Sequence, residues 1–310
     1  MTSPYKGADA HIKVSTYYPH DFVVANTVLM GSGSFNFLYP IIVLILGAGR
    51  SGTTGLLAWL MSNVGVQLGY YQPFKTIIRH GLQFGQLCIP GKACGVEIIV
   101  MKDTFGPFKN EFEEFDAVQM LLAAGIPASN IILVPIMRNP LATYKSNFKF
   151  EGGIEAGLLI SNLKFTVALL NRYAKILKVI PLAYDLFGLG EEMVAQAICQ
   201  ALGLKYYGLD LDKASLQIAR LDLDYHYVPG FGKLVPGEIA IPAERVEIWD
   251  DMVTRAGGRF GYQKNGVVTP ASFSDQTRRV GAELIQQECS ALYVEFYQLS
   301  AATLGIKIPG

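Results

Sequence analysis

Residues Ile41 to Leu46 are six aliphatics in a row, and they run directly into Gly47-Ala-Gly-Arg-Ser-Gly-Thr-Thr54. This stretch limits the fold more than any other. An unbroken aliphatic run ended by glycine reads as a strand buried on both faces. The helix-forming run Leu56 to Met61 follows it. Strand, glycine-rich turn and helix start together make a cradle for an anion. Glycine lets the backbone approach a ligand, the free N–H groups of a helix start point at it, and the helix dipole favours its charge.

Gly47 and Gly52 have four residues between them, the spacing of a Walker A loop. That loop next requires Lys, and Thr53 stands in its place, while the cation comes earlier, at Arg50. Arg50, Ser51, Gly52, Thr53 and Thr54 therefore read as an anion-binding set, with an ordinary tight turn as the plainer alternative. The loop does not support a Mg²⁺-dependent triphosphatase.

Val96 to Met101 predicts a second strand leading into Lys102-Asp103, and Ile131 to Met137 a third leading into Arg138. Val179 to Tyr184 reads as a fourth. Helices are expected over Glu111–Ala124, from Pro140, where a missing N–H costs nothing, over Ile154–Leu177, and over Glu191–Leu202, which Gly203 ends. The segment Val64 to Gly95 reads as loop and short helix. Strands alternating with helices predict an α/β fold with a doubly wound, mostly parallel sheet. Ligands of such sheets bind beyond the carboxyl ends of the strands. Arg50, Lys102 and Arg138 are expected just past three of those ends. From Asp210 the strand signals fade. Leu216–Leu221 and Ala243–Thr254 suggest helices, and Asp275–Leu304 a long closing helix with Ser274 as its N-cap. The expected organisation is one domain over 1–310: an N-terminal extension at 1–39 with a short strand within Phe22–Leu29, an α/β core at 40–203, and a mostly helical C-terminal part at 204–310.

The charges balance to zero over 310 residues, so no global field draws the chain to nucleic acid or to anionic lipid. Anion binding must be local. The apolar run Phe35 to Leu46 contains Pro40 and falls short of the ~20 residues a membrane helix needs, so no membrane span is expected. The N-terminus has no basic-then-apolar signal pattern. Four cysteines show neither zinc spacing nor a CxxC pair and read as reduced thiols, which suggests a cytoplasmic protein. The mean hydropathy of +0.29 fits a deeply buried sheet, a greasy substrate pocket or an oligomer interface, and leaves room for a homodimer at the closing helix.

The third strand's exit places Arg138 eight residues before Ser146. If a helix starts near Pro140, two turns separate them, and a bend at Asn139-Pro140 brings both onto one anion. A guanidinium fork and a hydroxyl suit a phosphate monoester.

These motifs together resemble those of the sulfotransferases that use 3′-phosphoadenosine-5′-phosphosulfate (PAPS). Gly49-Arg-Ser-Gly-Thr-Thr54 is similar to that family's 5′-phosphosulfate loop, Arg138-Asn-Pro through Ser146 to its 3′-phosphate motif, and Pro181-Leu-Ala-Tyr-Asp-Leu186 to the strand and turn that follow. The match covers about Ile41 to Gly203, which makes 40–203 a nucleotide-binding core with a P-loop-like phosphosulfate loop. The resemblance implies that Arg50 through Thr54 hold the 5′-phosphosulfate, that Arg138 and Ser146 hold the 3′-phosphate, and that Tyr184 belongs to the cofactor site. Lys233, in a loosely similar later loop, joins the 3′-phosphate set. It also implies sulfuryl transfer to a hydroxyl or amine with adenosine 3′,5′-bisphosphate as product, Arg50 and Lys102 stabilising the leaving group, and no metal.

The general base is less legible. Family members carry Glu or His where this chain has Gln72 and, after Lys102, Asp103-Thr104. His80 and Asp103 are the remaining candidates, with Glu97 behind them. Tyr70, Tyr71, Phe74 and Phe84 hint at a small aromatic or lipophilic acceptor, or are ordinary core. Two other readings stay open: a P-loop kinase of small molecules, and a degenerate nucleotide-binding protein without activity.

Overall fold

The computed structural model describes residues 23–24, 39–63, 68–80, 88–89, 97–106, 114–150, 153–210, 218–219 and 267–309. Its strands are β1 (Val23–Val24), β2 (Ile41–Ala48), β3 (Leu68–Tyr71), β4 (Cys88–Ile89), β5 (Ile98–Phe105), β6 (Ile131–Met137), β7 (Lys178–Val179), β8 (Leu182–Ala183) and β9 (Ile218–Ala219). Its α-helices are α1 (Thr53–Asn63), α2 (Pro73–His80), α3 (Ala117–Ala123), α4 (Pro140–Phe150), α5 (Ala156–Tyr173), α6 (Glu191–Leu202) and α7 (Gln276–Leu304).

The aliphatic run of β2 is the middle of the sheet. It is buried from Ile42 to Ala48 because parallel neighbours flank it and helices cover both its faces. The strand order is β7–β6–β2–β5–β3–β9, with β8 also pairing with β6, and every pairing is parallel. β1 and β4 form a separate parallel ladder. After β2 the chain passes through α1 to β3 and comes back to β5 on one side, then crosses to β6 on the other. The carboxyl ends of β2 and β6 thus border the point where the winding reverses, and a doubly wound sheet leaves a crevice there.

Alternation along the strands sorts the core into two halves. Val43, Ile45 and Val100 pack with Leu56, Leu57 and Leu60 of α1 and with residues of α6 and α7. Ile42, Leu44, Ile99 and Met101 pack on the other face with Phe74 of α2, Val118 of α3 and Tyr173 of α5. No helix among the described residues is long and apolar enough to cross a membrane.

β6 and α6 span the expected residues, and α4 begins at Pro140 as expected. Some expectations need correction. Val179–Tyr184, expected as one strand, is divided between β7 and β8, and Tyr184 begins a 3-10 helix, Tyr184–Leu189. β5 runs on to Phe105, so Lys102 and Asp103 lie within the strand and not past its end. Ile218–Ala219, expected in a helix, is strand β9 beside β3. β3 itself was hidden in an expected loop, because Leu68-Gly-Tyr-Tyr71 lacks an aliphatic run. A side chain at Gly69 would meet Met61 Sδ at 2.7 Å, so close packing of α1 accounts for the glycine. The closing helix is capped by Asp275, whose carboxylate accepts the Arg278 N–H at 2.9 Å, and not by Ser274. The expected helix at Ala243–Thr254 and the loop carrying Lys233 lie outside the described residues.

Candidate functional site

The turn after β2 is closed from inside. Ser51 donates its hydroxyl to Ala48 O at 2.6 Å and its N–H to the same oxygen at 3.2 Å. Gly49 N–H reaches across to Phe105 O at 2.8 Å, tying the turn to the end of β5. Ser51 is fully buried, and in the ligand-free chain its hydroxyl closes the turn. The turn forces Arg50 to a positive φ of 69° and Gly52 to 99°. α1 then begins at Thr53, and Leu56 N–H makes its first helical bond to Gly52 O at 3.0 Å. The N–H groups before Leu56 have no acceptor within the helix and sit at its positive end, as an anion requires.

The third strand's exit meets this turn directly. Arg50 Nε donates to Ser146 Oγ at 3.4 Å, although 96 residues separate them. Ser146 stands on α4, two turns past Pro140. Asn139 caps that helix, its side-chain oxygen taking the Ala142 N–H at 3.1 Å. Arg138 precedes it, half-buried, with its guanidinium carbon 5.2 Å from the centre of the Tyr184 ring. Its Nε is buried and has no hydrogen-bond partner. Tyr184 also fills the space over Gly52, where an added Cβ would lie 2.6 Å from the ring. One aromatic ring therefore spaces the anion turn from Arg138.

β5 divides its two candidates. Successive side chains of a strand point to opposite faces. Lys102 is buried on the α1 face, with Nζ 4.3 Å from the centre of the Tyr71 ring. Asp103 is buried on the α2 face, where its carboxylate accepts the N–H groups of Phe74 at 3.3 Å and Lys75 at 3.0 Å. These bonds fix the start of α2. Burial pushes the Asp103 carboxyl up to about 7, against the opposing pull of those N–H groups and of the Lys102 and Lys75 charges. Lys75 is itself buried and donates Nζ to Thr104 O at 3.2 Å and to Gly106 O. Gln72, at a positive φ of 51°, donates its side-chain amide to Thr104 Oγ1 at 2.8 Å.

Of the expected residues, the structure therefore brings together Arg50, Gly52, Thr53, Thr54, Arg138, Ser146 and Tyr184. Lys102 sits lower in the sheet, in register with Ile45. His80 ends α2, and Lys233 lies outside the described residues. Glu97 is at the opposite end of the sheet, where its carbonyl accepts the Ile41 N–H at 2.8 Å. Tyr70 and Phe74 are fully buried in the core. Lys75 was missed, because a lysine one turn into a short helix gives no sequence signal for burial. Cys199 and Cys289 are free and buried, their thiols pushed up by burial to about 12 and about 11.

No family model and no curated protein matches the chain. Among solved structures it is similar to that of a mouse sulfotransferase, SULT7A1, complexed with PAP. The two are 14% identical with a TM-score of 0.42, and the alignment covers 84% of this chain and 89% of the other. The likeness extends over most of both chains; it assigns no activity and no residue role.

Proposed function

We propose that the chain is a PAPS-dependent sulfotransferase acting on a small or lipophilic acceptor. One observation carries the reading. The crevice at the winding reversal collects Arg50, Ser146 and the unpartnered buried Nε of Arg138 around the start of α1. A buried guanidinium nitrogen without an acceptor fits a site built for an anionic ligand, and donors supplied by two strand exits fit a ligand with two anionic groups.

When bound, PAPS would supply an activated sulfuryl group for in-line transfer to an acceptor hydroxyl or amine. The start of α1, with Arg50, Gly52, Thr53 and Thr54, would hold the 5′ group, and Arg138 with Ser146 the 3′-phosphate. Tyr184 stands between Arg138 and the turn. Arg50 would neutralise charge developing on the leaving oxygen, the task that dominates such transfers. Lys102 would add positive potential from within β5. His80 would accept the acceptor's proton, since an imidazole titrates near neutrality. Asp103 serves by fixing the start of the helix that ends in His80. No role in this scheme requires a metal.

A second reading, a nucleotide-binding protein without activity, draws on Gln72. An amide stands there and gives its hydrogen bond to Thr104, and an amide cannot take a proton from an acceptor. The kinase reading has only Asp103 in its favour, and that carboxylate is committed to α2.

Calorimetric titration with adenosine 3′,5′-bisphosphate, against ATP with Mg²⁺, tests the proposal. Metal-independent binding of the bisphosphate, tighter than that of ATP, is expected. Preference for ATP with Mg²⁺ would overturn it. Turnover of PAPS in an acceptor screen then separates the enzyme from the inactive binder.

A further inference from the structure

The ring of Tyr184 stands between the anion turn and Arg138, at the start of a 3-10 helix, Tyr184–Leu189, that follows a short strand. β8 is two residues long and ends at Ala183. The closing helix holds that strand end. Ser300, fully buried on α7, donates side-chain support to this strand end by accepting the Ala183 N–H at 2.8 Å. Tyr293, seven residues earlier on α7, donates its hydroxyl to Asp185 Oδ2. Residues seven apart on a helix share a face. α7 thus grips the chain on both sides of Tyr184. The same Asp185 oxygen accepts the Asn139 N–H at 2.7 Å, immediately after Arg138. Asp185 thus links the closing helix to the backbone beside Arg138, whose Nε has no hydrogen-bond partner.

The geometry points to a two-point clamp, in which Ser300 and Tyr293 of α7, acting through Ala183 and Asp185, position Tyr184 and Arg138 for the 3′-anionic group of the ligand. These are positioning residues: Ser300 acts on the Ala183 N–H, Tyr293 on Asp185, and Asp185 on the Asn139 N–H. The inference rests on the nucleotide reading and extends it to a helix that begins more than a hundred residues after Ser146 in the chain. Asp185 acts twice, once on each motif, so its removal should be felt more at the ligand than in the fold.

The test uses the full chain with Tyr293→Phe, Ser300→Ala and Asp185→Asn, each read in two ways. The first is the ratio of affinities for adenosine 3′,5′-bisphosphate and adenosine 5′-phosphate by calorimetry. The second is the Asn139 amide proton in an isotope-labelled sample without ligand. The ratio should fall about fivefold in Tyr293→Phe and about tenfold or more in Asp185→Asn, with affinity for the 5′-phosphate changed less than about twofold, since each loses a hydrogen bond that acts on one anionic group only. Ser300→Ala should lower the ratio in the same direction. The Asn139 amide should shift upfield and exchange faster in Asp185→Asn. Lower melting temperatures with an unchanged ratio would make the clamp purely structural and overturn the inference. So would an Asn139 amide unmoved in Asp185→Asn. A wild type that binds both nucleotides alike would instead remove the nucleotide reading, and the amide then decides by itself whether Asp185 holds this backbone.

Discussion

A buried polar nitrogen without an acceptor costs on the order of 1–3 kcal/mol. Arg138 Nε bears that cost in the ligand-free chain, and a phosphate oxygen would relieve it. Arg138→Ala should therefore leave the free protein at least as stable while removing its preference for adenosine 3′,5′-bisphosphate over adenosine 5′-phosphate. Paired titrations of variant and wild type measure this, and a preference that survives would withdraw Arg138 from the site. Ser146 is a different case. Its hydroxyl already receives Arg50 Nε at 3.4 Å, a long bond that a ligand oxygen could replace. The same side chain thus joins the two anion clusters before any ligand arrives. Ser51, three residues into the turn, shows the opposite use of a hydroxyl, since both its donors go to Ala48 O.

At the scale of elements, α2 hangs on β5 by two buried charged groups, Asp103 at its start and Lys75 one turn in. The Asp103 carboxyl titrates at about 7 in the fold against an ordinary value of 3.8. Between those values the folded chain keeps a proton that the unfolded chain has released. Its contribution to stability is therefore full at the acid end and is lost as the pH rises toward 7. Asp103→Asn pays a fixed cost where its amide nitrogen meets a backbone N–H, but it has no such slope. The gap in melting temperature between wild type and variant should accordingly move in the variant's favour from about pH 5 to about pH 8. Parallel melting curves at every pH would contradict it. The same elements explain what could be read in advance. β2 and β6 are aliphatic and buried on both faces, so composition alone outlined them. β5 hid its end because Lys102 and Asp103 look like a loop, and only their burial against Tyr71 and α2 makes them strand. Arg50, Arg138 and Ser146 could be found because each sits at a fixed distance from a strand signal. The grip of α7 on Ala183 and Asp185 could not, because its partners lie 117 and 108 residues apart and no local pattern encodes them.

Over the whole molecule, the reversal of winding at β2 gathers the site, and the last helix braces it from behind. The crevice belongs to the α/β core, while the proposed clamp on it belongs to the closing helix. The turn itself is bought at a cost. Arg50 holds a left-handed backbone at φ 69°, which for a residue with a side chain costs roughly 1–2 kcal/mol. Glycine would remove that cost. Arg50→Gly should therefore melt at a higher temperature than the wild type and bind the bisphosphate more weakly, as scanning calorimetry and titration together would record. A lower melting temperature would mean that the packing of the guanidinium outweighs the backbone term. The consequence reaches into evolution. A lineage released from the need for this chemistry would gain robustness by drifting to glycine at this one position. Loss of activity would then leave a sturdier protein in the cell, persisting as an inert relative where a failing fold would have been cleared.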